Sequence, residues 1–109
     1  MNVRLYVWQR LTAAILVPLV LVHIAVIFYA TRTGLSAAEI VAHTRGSISW
    51  GAFYSLFVLA ASVHAPIGLR NVLAEWTPLR ARLCDVTSIV FGLFLLGLGF
   101  RAVAAVVLP

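Results

Sequence analysis

Residues that could carry chemistry are concentrated in one stretch, which begins in an apolar run and ends in an acidic and aromatic tail. His64 lies among apolar residues, Gly68 follows four residues later, and Glu75 and Trp76 precede Pro78. An imidazole inside a membrane is costly unless it has a partner. One interpretation of His64 is a structural hydrogen bond to a neighbouring carbonyl or serine, and the other is a ligand role.

The spacing around His64 suits haem. Gly68 lies at i+4 and therefore on the same helical face, where a flat macrocycle could lie against bare backbone. A neutral imidazole is a common axial ligand of haem iron. Arg70 follows near the membrane surface, where a propionate needs a cation. The pattern predicts a haem b site with His64 as the axial ligand to the iron and with Gly68 and Arg70 in the haem environment.

A haem with two histidine ligands needs both at about the same depth, and His23 is the other intramembrane histidine. At about 1.5 Å per residue, His23 lies about 20 Å from the start of the first apolar run. By the same measure His64 lies only about 8 to 10 Å from that side of the membrane. We therefore expect the second ligand to come from another chain and His23 to be structural.

A second cluster is expected at the membrane surface. Arg10 opens the first apolar run, and Glu75 and Trp76 end the second, so that all three lie on the same side. Their simpler interpretation is ordinary interfacial anchoring. Their functional interpretation is a pocket for an amphiphilic headgroup such as a quinone, whose carbonyls need hydrogen-bond donors and whose reduction needs a proton source.

The elements that carry these residues are membrane helices. The 109 residues are 63% hydrophobic and 10% charged, with a mean hydropathy of +1.08, which is far from the composition of a soluble globule. Apolar runs predict three transmembrane helices at about 11–30, 48–72 and 86–108 in an all-α membrane protein, and a single domain over 1–109. Ser36 and Glu39 form a capping box that predicts a short surface helix in the first connection.

The net charge of +5 comes from eight arginines against three acids. These arginines are scattered singly between apolar runs, so we predict membrane lipid around the chain and no nucleic-acid partner. Five lie on one side of the predicted bundle and three on the other, which favours a cytoplasmic N-terminus and an outside C-terminus. The N-terminal segment lacks the cleavage site of a signal peptide and is expected to belong to the first span.

The residues around His64 resemble the haem b membrane-anchor subunits of succinate dehydrogenase and fumarate reductase, the three-helix cytochrome b components of respiratory complex II. His64-x-x-x-Gly68 followed by Glu75-Trp76 is similar to the small anchor's ligand histidine, its glycine and its acid–aromatic pair. Gly68-Leu69-Arg70 is similar to a Gly-Ile-Arg sequence of the larger anchor. The chain mixes features of both anchor types, so its place in a pair stays open.

The entry to the first helix carries a second motif. Gln9-Arg10-Leu11-Thr12-Ala13 is similar to the family's His-Arg-x-Ser/Thr-Gly. The resemblance implies that His64 is an axial haem ligand and that Arg10 belongs to a quinone pocket.

By the same resemblance, Glu75 and Trp76 complete the pocket, and Tyr6 falls where the larger anchor has a pocket serine. Trp76 replaces the family's tyrosine, so it could donate a hydrogen bond to a quinone but could not act as an acid. Gln9 replaces a histidine near the haem edge and removes a possible propionate contact. Proton delivery is therefore expected from Glu75 or water.

The resemblance also implies partners. A flavoprotein subunit would oxidise succinate or run the reverse reaction, and an iron–sulfur subunit would pass electrons to the quinone through this anchor. The second haem ligand would come from a second membrane anchor or another copy of this chain. A bacterial-type inner (cytoplasmic) membrane is the expected location.

Two other functions are considered. A small membrane transporter of this length needs a fourth span and a carboxylate in the first, and the first span here has no acid. A cofactor-free structural membrane subunit is the third possibility, and a reduced-minus-oxidised spectrum would distinguish it from a cytochrome.

Overall fold

A computed structural model describes residues 2–109 as an all-α chain, and this part of the chain contains no strand. Its helices are α1 (Val3–Thr33), α2 (Ala37–Thr44), α3 (Ile48–Trp76) and α4 (Ala81–Val107). Helices α1, α3 and α4 are long and apolar enough to cross a membrane. The predicted fold class of three membrane-spanning helices is confirmed.

The long helices extend beyond the predicted spans. Helix α1 begins at Val3 instead of near residue 11, after Asn2, whose side-chain oxygen accepts from the Arg4 N–H at 2.9 Å. Helix α3 continues past residue 72 to Trp76, and α4 begins at Ala81 instead of near 86. The apolar pattern marks only the stretch that fits the hydrocarbon, whereas a helix continues into the interface until a cap or a proline stops it.

Helix α3 is central, because α1 and α4 both pack on it and hardly contact each other. Two glycines of α4 allow the antiparallel helices α3 and α4 to approach each other closely. A Cβ on Gly92 would lie 2.8 Å from Pro66 Cγ, and a Cβ on Gly99 would lie 2.5 Å from Val58 Cγ1. Small residues of this kind let membrane helices approach closely, where van der Waals contact drives their association.

Pro66 gives the α3–α4 interface a further feature that the sequence reasoning did not single out. Because proline has no N–H, the carbonyl of Ser62 loses its intrahelical donor. The Ser62 carbonyl lies 3.3 Å from the position that a Cβ of Gly92 would take. The Ser62 hydroxyl is also buried and unpaired among the described residues. The glycine backbone of α4 therefore covers the weakened turn of α3.

Helix α2 begins with the predicted capping box. Ser36 Oγ accepts from the Glu39 N–H at 3.2 Å, and Glu39 Oε2 accepts from the Ser36 N–H at 2.6 Å. The hydrogen bond from the Ser36 backbone N–H to the Glu39 carboxylate, followed by that with the Ser36 side chain, holds the pKa of Glu39 below its ordinary value of 4.5. The prediction of a short helix in the first connection is confirmed.

The end of α2 is attached to the end of α4. Thr44 is buried, and its hydroxyl donates to the Val106 carbonyl at 2.5 Å. The Gly46 N–H donates to the Val107 carbonyl at 2.6 Å, from a left-handed backbone with φ of 74°. The last carbonyls of a helix have no intrahelical donors, so this junction satisfies two of them.

Candidate functional site

His64 lies at the interface between α3 and α1. Its Nδ1 is 3.1 Å from Thr12 Oγ1 and 3.2 Å from the backbone oxygen of Gln9. Thr12 is only 4% exposed. The imidazole is thus held by a buried hydroxyl and a carbonyl of the first helix.

These contacts determine which nitrogen of His64 carries the proton. The Gln9 carbonyl can only accept a hydrogen bond. The Thr12 hydroxyl has two acceptors in its own helix, the Trp8 carbonyl at 2.6 Å and the Gln9 carbonyl at 3.2 Å, so with its single proton given to either one Thr12 Oγ1 is an acceptor toward the ring. Nδ1 must therefore be the donor, and Nε2 keeps the lone pair. A histidine whose N–H is donated to a backbone carbonyl is the usual arrangement of a metal-ligating imidazole.

Gly68 lies one helical turn beyond His64 and faces the same helix. A Cβ at Gly68 would lie 3.5 Å from Gln9 Nε2, in ordinary van der Waals contact. The other amide atom, Gln9 Oε1, is buried without a hydrogen-bond partner in the described chain. The bare backbone expected at Gly68 is therefore partly covered by the Gln9 side chain, which itself has an unused polar atom.

Arg70 is directed to the other side of α3. Its Nε donates to Asp85 Oδ1 of α4 in a salt bridge, with 30% and 47% of the two side chains exposed. His64 faces α1, whereas Arg70 faces α4, because six residues along a helix rotate the side chain away from the starting face. The sequence reasoning missed this pair, since its detection needs the register of α3 against α4.

The expected quinone-pocket residues fall into two groups. The Arg10 guanidinium lies over the Tyr6 ring, 5.7 Å from its centroid, and both residues are exposed on α1. Glu75 and Trp76 are exposed at the end of α3, with Trp76 at 81%. Both groups lie at the same end of the bundle, as expected.

The register of α1 on α3 separates these groups along the bundle. The contacts of Gln9 with Gly68 and of Thr12 with His64 place Arg10 level with about residue 67 of α3. Glu75 is then about 12 Å further along the axis at 1.5 Å per residue. A molecule that contacts both groups must extend along the groove between α1 and the end of α3.

His23 lies at a different level from His64. Its ring packs edge-on against Tyr54 and Phe57, with centroid distances of 5.8 and 5.4 Å. Phe57 precedes His64 by about 10 Å along α3. The structure therefore agrees with the depth difference predicted between the two histidines, and His23 does not face His64 as a second ligand within this chain.

A protein-only metal site is not found in the described part of the chain, which has no group of three or more histidine, cysteine or acidic side chains. His64 could serve only a metal whose other ligands come from outside this set, as in a porphyrin. The lone pair on Nε2 could provide the one protein ligand that such a metal needs from this chain.

Comparison with known proteins identifies the family. A family model described as succinate dehydrogenase/fumarate reductase transmembrane subunit matches residues 1–100. That range includes α1, α2, α3, most of α4 and every candidate site residue. No curated protein and no solved structure matches the chain. The match over nearly the whole length shows that the chain belongs to the family of succinate dehydrogenase/fumarate reductase transmembrane subunits.

Proposed function

We propose that this chain is the membrane-anchor cytochrome b subunit of a succinate dehydrogenase/fumarate reductase-type complex. In this role it holds haem b, forms part of the quinone site, and conducts electrons between an iron–sulfur subunit and the quinone. The observation that supports the haem site most strongly is the contact of His64 Nδ1 with Thr12 Oγ1 and the Gln9 carbonyl of α1, an arrangement in which Nε2 carries the lone pair.

The residues around His64 fit an axial-ligand role. Thr12 and Gln9 hold the ring orientation by accepting the Nδ1 proton. Such outer hydrogen bonds make the ligating nitrogen a better donor to the metal. When bound, haem b would supply a one-electron carrier inside the membrane.

Arg70 would act in the haem environment through its charge. Its Nε already serves Asp85, so the terminal nitrogens of the guanidinium are the groups it could offer to a propionate. Asp85 offsets part of the positive charge, which weakens the attraction for an anion.

The second axial ligand would come from another polypeptide. His23 is excluded by its level in the bundle, where it packs on Tyr54 and Phe57. A second, different anchor or another copy of this chain could each provide an imidazole at the level of His64.

The quinone pocket would use Arg10 and Tyr6 from α1 with Glu75 and Trp76 from α3. The guanidinium of Arg10 and the indole N–H of Trp76 can donate to quinone oxygens. Glu75 or a water near it would provide the proton, because an indole does not release one. The exposure of Glu75 allows that proton to be replaced from the aqueous phase.

The dicarboxylate chemistry would lie in the flavoprotein subunit, and this chain would dock the iron–sulfur subunit at the end that carries Glu75. The arginine distribution favours placing that end and the N-terminus in the cytoplasm of a bacterial-type inner membrane. Three crossings then place the C-terminus outside.

The test is the haem spectrum of the assembled complex carrying His64→Ala. We expect the haem b Soret and α bands to be lost or strongly weakened in the reduced-minus-oxidised spectrum. His43→Ala is the matched control, because His43 is exposed on α2. A haem-to-protein ratio and spectrum unchanged by His64→Ala would rule out the ligand assignment.

A further inference from the structure

Arg101 lies inside α4, about 9 Å along the axis before that helix ends at Val107. The packing of α4 on α3 gives its level in the bundle. A Cβ on Gly99 would lie 2.5 Å from Val58 Cγ1. Because the two helices are antiparallel, Arg101 is level with about residue 56 of α3. At about 1.5 Å per residue, this level is about 12 Å from the start of α3, well inside the span.

The contacts of α1 with α3 give Arg101 a similar depth. Thr12 Oγ1 lies 3.1 Å from His64 Nδ1, which matches the two helices at that level. The level of Arg101 on α3 then corresponds to about residue 20 of α1. This is the middle of the apolar run 11–30, about 15 Å from either end. The arginine therefore lies near the centre of the hydrocarbon, whereas arginines of membrane proteins usually flank it.

No acidic side chain of the described residues neutralises this charge. The ion pair found among them joins Arg70 and Asp85. Glu39 belongs to the capping box of α2, and Glu75 lies at the opposite end of the bundle. An arginine side chain keeps its proton in proteins, and charges inside a membrane are paired or face the interior of a bundle. Arg101 is instead exposed on α4, so its counter-charge must come from outside this chain.

The direction of the Arg101 side chain argues against a lipid phosphate as the counter-charge. The nearer membrane surface lies beyond the C-terminal end of α4, where the phosphates are. In an α-helix every Cα–Cβ bond tilts toward the N-terminus, so this side chain starts in the opposite direction, toward the membrane centre. Arginines that extend to the headgroups lie near helix ends. An anion at the depth of Arg101 must therefore be carried there by a polypeptide.

A second copy of this chain does not supply such an anion. The chain has three acidic residues, and the one on α4, Asp85, lies about 24 Å along the axis from Arg101. In a symmetric dimer through this face, the two Arg101 side chains would also lie at the same level and repel each other. The polypeptide that carries the anion is therefore a different chain.

We propose that the outward face of α4 around Arg101 binds a membrane helix of a different protein chain, which presents an aspartate or a glutamate at this depth. Gly97 and Ala105 lie one turn before and one turn after Arg101, are exposed, and share its face. A Cβ on Gly97 would meet nothing within 4 Å. Small residues let a second helix approach closely, and a guanidinium binds a carboxylate through two parallel hydrogen bonds.

This contact differs from the one that would supply the second haem ligand. The His64 ring is directed to α1, whereas the Arg101 face belongs to α4, which hardly contacts α1. The proposal therefore depends on neither the haem nor the quinone assignment.

The experiment places a photo-reactive diazirine analogue of leucine at position 98 of the full chain in its native membranes. Leu98 is 47% exposed and lies about one turn from Arg101. We expect irradiation to join position 98 to an apolar segment of a different chain, in which peptide sequencing by mass spectrometry finds an acidic residue. Capture of lipid alone, of a second copy of this chain, or of a segment without an acid would overturn the proposal.

Arg101→Gln and Arg45→Gln form a matched pair, because each removes one exposed arginine and only the first lies in a membrane span. We expect Arg101→Gln to lower the yield of the crosslink by about tenfold or more, since a hydrogen bond between charged groups is lost. Arg45→Gln should leave the yield unchanged. Equal yields in the two variants would overturn the proposal.

A charge exchange separates the loss of pairing from the loss of folding. Arg101→Glu alone should abolish the crosslink, because two carboxylates would then face each other in the membrane. Replacement of the acidic residue of the captured segment by arginine should restore the crosslink in that variant. Failure of this exchange to restore it would overturn the proposal.

Discussion

His64 of α3 donates its Nδ1 proton to α1, where Thr12 Oγ1 lies 3.1 Å away. Thr12 can only accept this bond because its own proton serves a carbonyl of its own helix, that of Trp8 or Gln9. One buried threonine thus fixes both the position of the imidazole and the nitrogen left for a metal. The packing of the first two membrane helices and the proposed ligand function depend on the same contact.

Replacement of Thr12 by valine tests this relationship. Valine keeps the shape but removes the acceptor, so the ring is held by the Gln9 carbonyl alone. We expect haem affinity to fall by about tenfold to a hundredfold, as for other outer-sphere partners of metal ligands. Titration of haem into the apo-complex measures this. Thr31→Val is the control, because Thr31 is exposed and bonds only carbonyls of its own helix. Equal affinity in both variants would contradict the role of Thr12.

Arg10→Ala and Glu75→Gln test the quinone pocket. We expect quinone reduction to fall by about tenfold or more in each, because each change removes a charged hydrogen-bonding group from the pocket. Dicarboxylate oxidation with an artificial dye should stay intact, since that reaction bypasses the membrane site. Arg4→Ala and Glu39→Gln are charge-matched controls outside the pocket. Normal quinone kinetics in both pocket variants would reject the assignment.

Gly92→Ala tests the close contact of α3 and α4. The new Cβ would lie 2.8 Å from Pro66 Cγ and 3.3 Å from the Ser62 carbonyl, and neither a proline ring nor a backbone atom moves easily. We expect a loss of about 1 to 3 kcal/mol in the free energy of unfolding. Gly97→Ala, where the Cβ would meet nothing within 4 Å, is the control on the same helix. Unfolding in mild detergent followed by circular dichroism measures both, and equal stability of the two variants would refute the packing argument.

A double-mutant cycle on Arg70→Gln and Asp85→Asn measures the salt bridge between α3 and α4. Because both side chains are partly exposed, we expect a coupling of only about 0.2 to 1 kcal/mol. It should shrink as the salt concentration rises. A larger coupling that is insensitive to salt would show that the pair is buried in the assembled complex.

The same two variants separate the proposed haem role of Arg70 from its structural role. Reduction adds negative charge to a haem, so loss of the guanidinium should lower the midpoint potential and loss of the Asp85 carboxylate should raise it. Redox titration of the complex measures the direction of the change in the haem midpoint potential in each variant. Unchanged potentials in both variants would leave Arg70 with the structural role alone.

The capping box of α2 is expected to respond to acid. The pKa of Glu39 is held below 4.5 by hydrogen bonds from Ser36. A lowered pKa in the folded state means that the stabilisation is complete above pH 4.5 and is lost as the pH falls through the lowered value. The protection factors of residues 37–44 in amide exchange, which are corrected for the intrinsic pH dependence of exchange, should therefore fall below pH 4.5 relative to their values at neutral pH. Glu39→Gln should remove this fall, and protection factors that fall equally in that variant would contradict the mechanism.

The sequence sufficed to predict what depends on composition and local pattern. Apolar length predicts three spans, Ser36 with Glu39 predicts α2, and helical rise predicts that His23 and His64 lie at different levels. Each of these predictions depends only on residues that are close in the chain, or on a quantity such as hydropathy or helical rise that is assigned to each residue separately.

What the sequence could not provide is the register between helices. Three contacts join residues of different helices: the salt bridge of Arg70 with Asp85, the packing of Gly92 against Pro66, and the contact of Gln9 with Gly68. Nothing in local spacing determines them, because a shift of one helical turn would preserve every apolar pattern. The freed carbonyl of Ser62 could have been noticed from Pro66, but not the glycine that covers it.

The attachment of Thr44 and Gly46 to the end of α4 has a consequence for biogenesis. A chain inserted from its N-terminus makes α2 long before the last turn of α4 leaves the ribosome. Until then the two donors lack their acceptors in α4, and the surface helix lacks its attachment to the bundle. The hydrogen bonds between α2 and α4 therefore form only after Val106 and Val107 have been synthesised. A ribosome that stalls before these residues would leave the first connection without its attachment to α4.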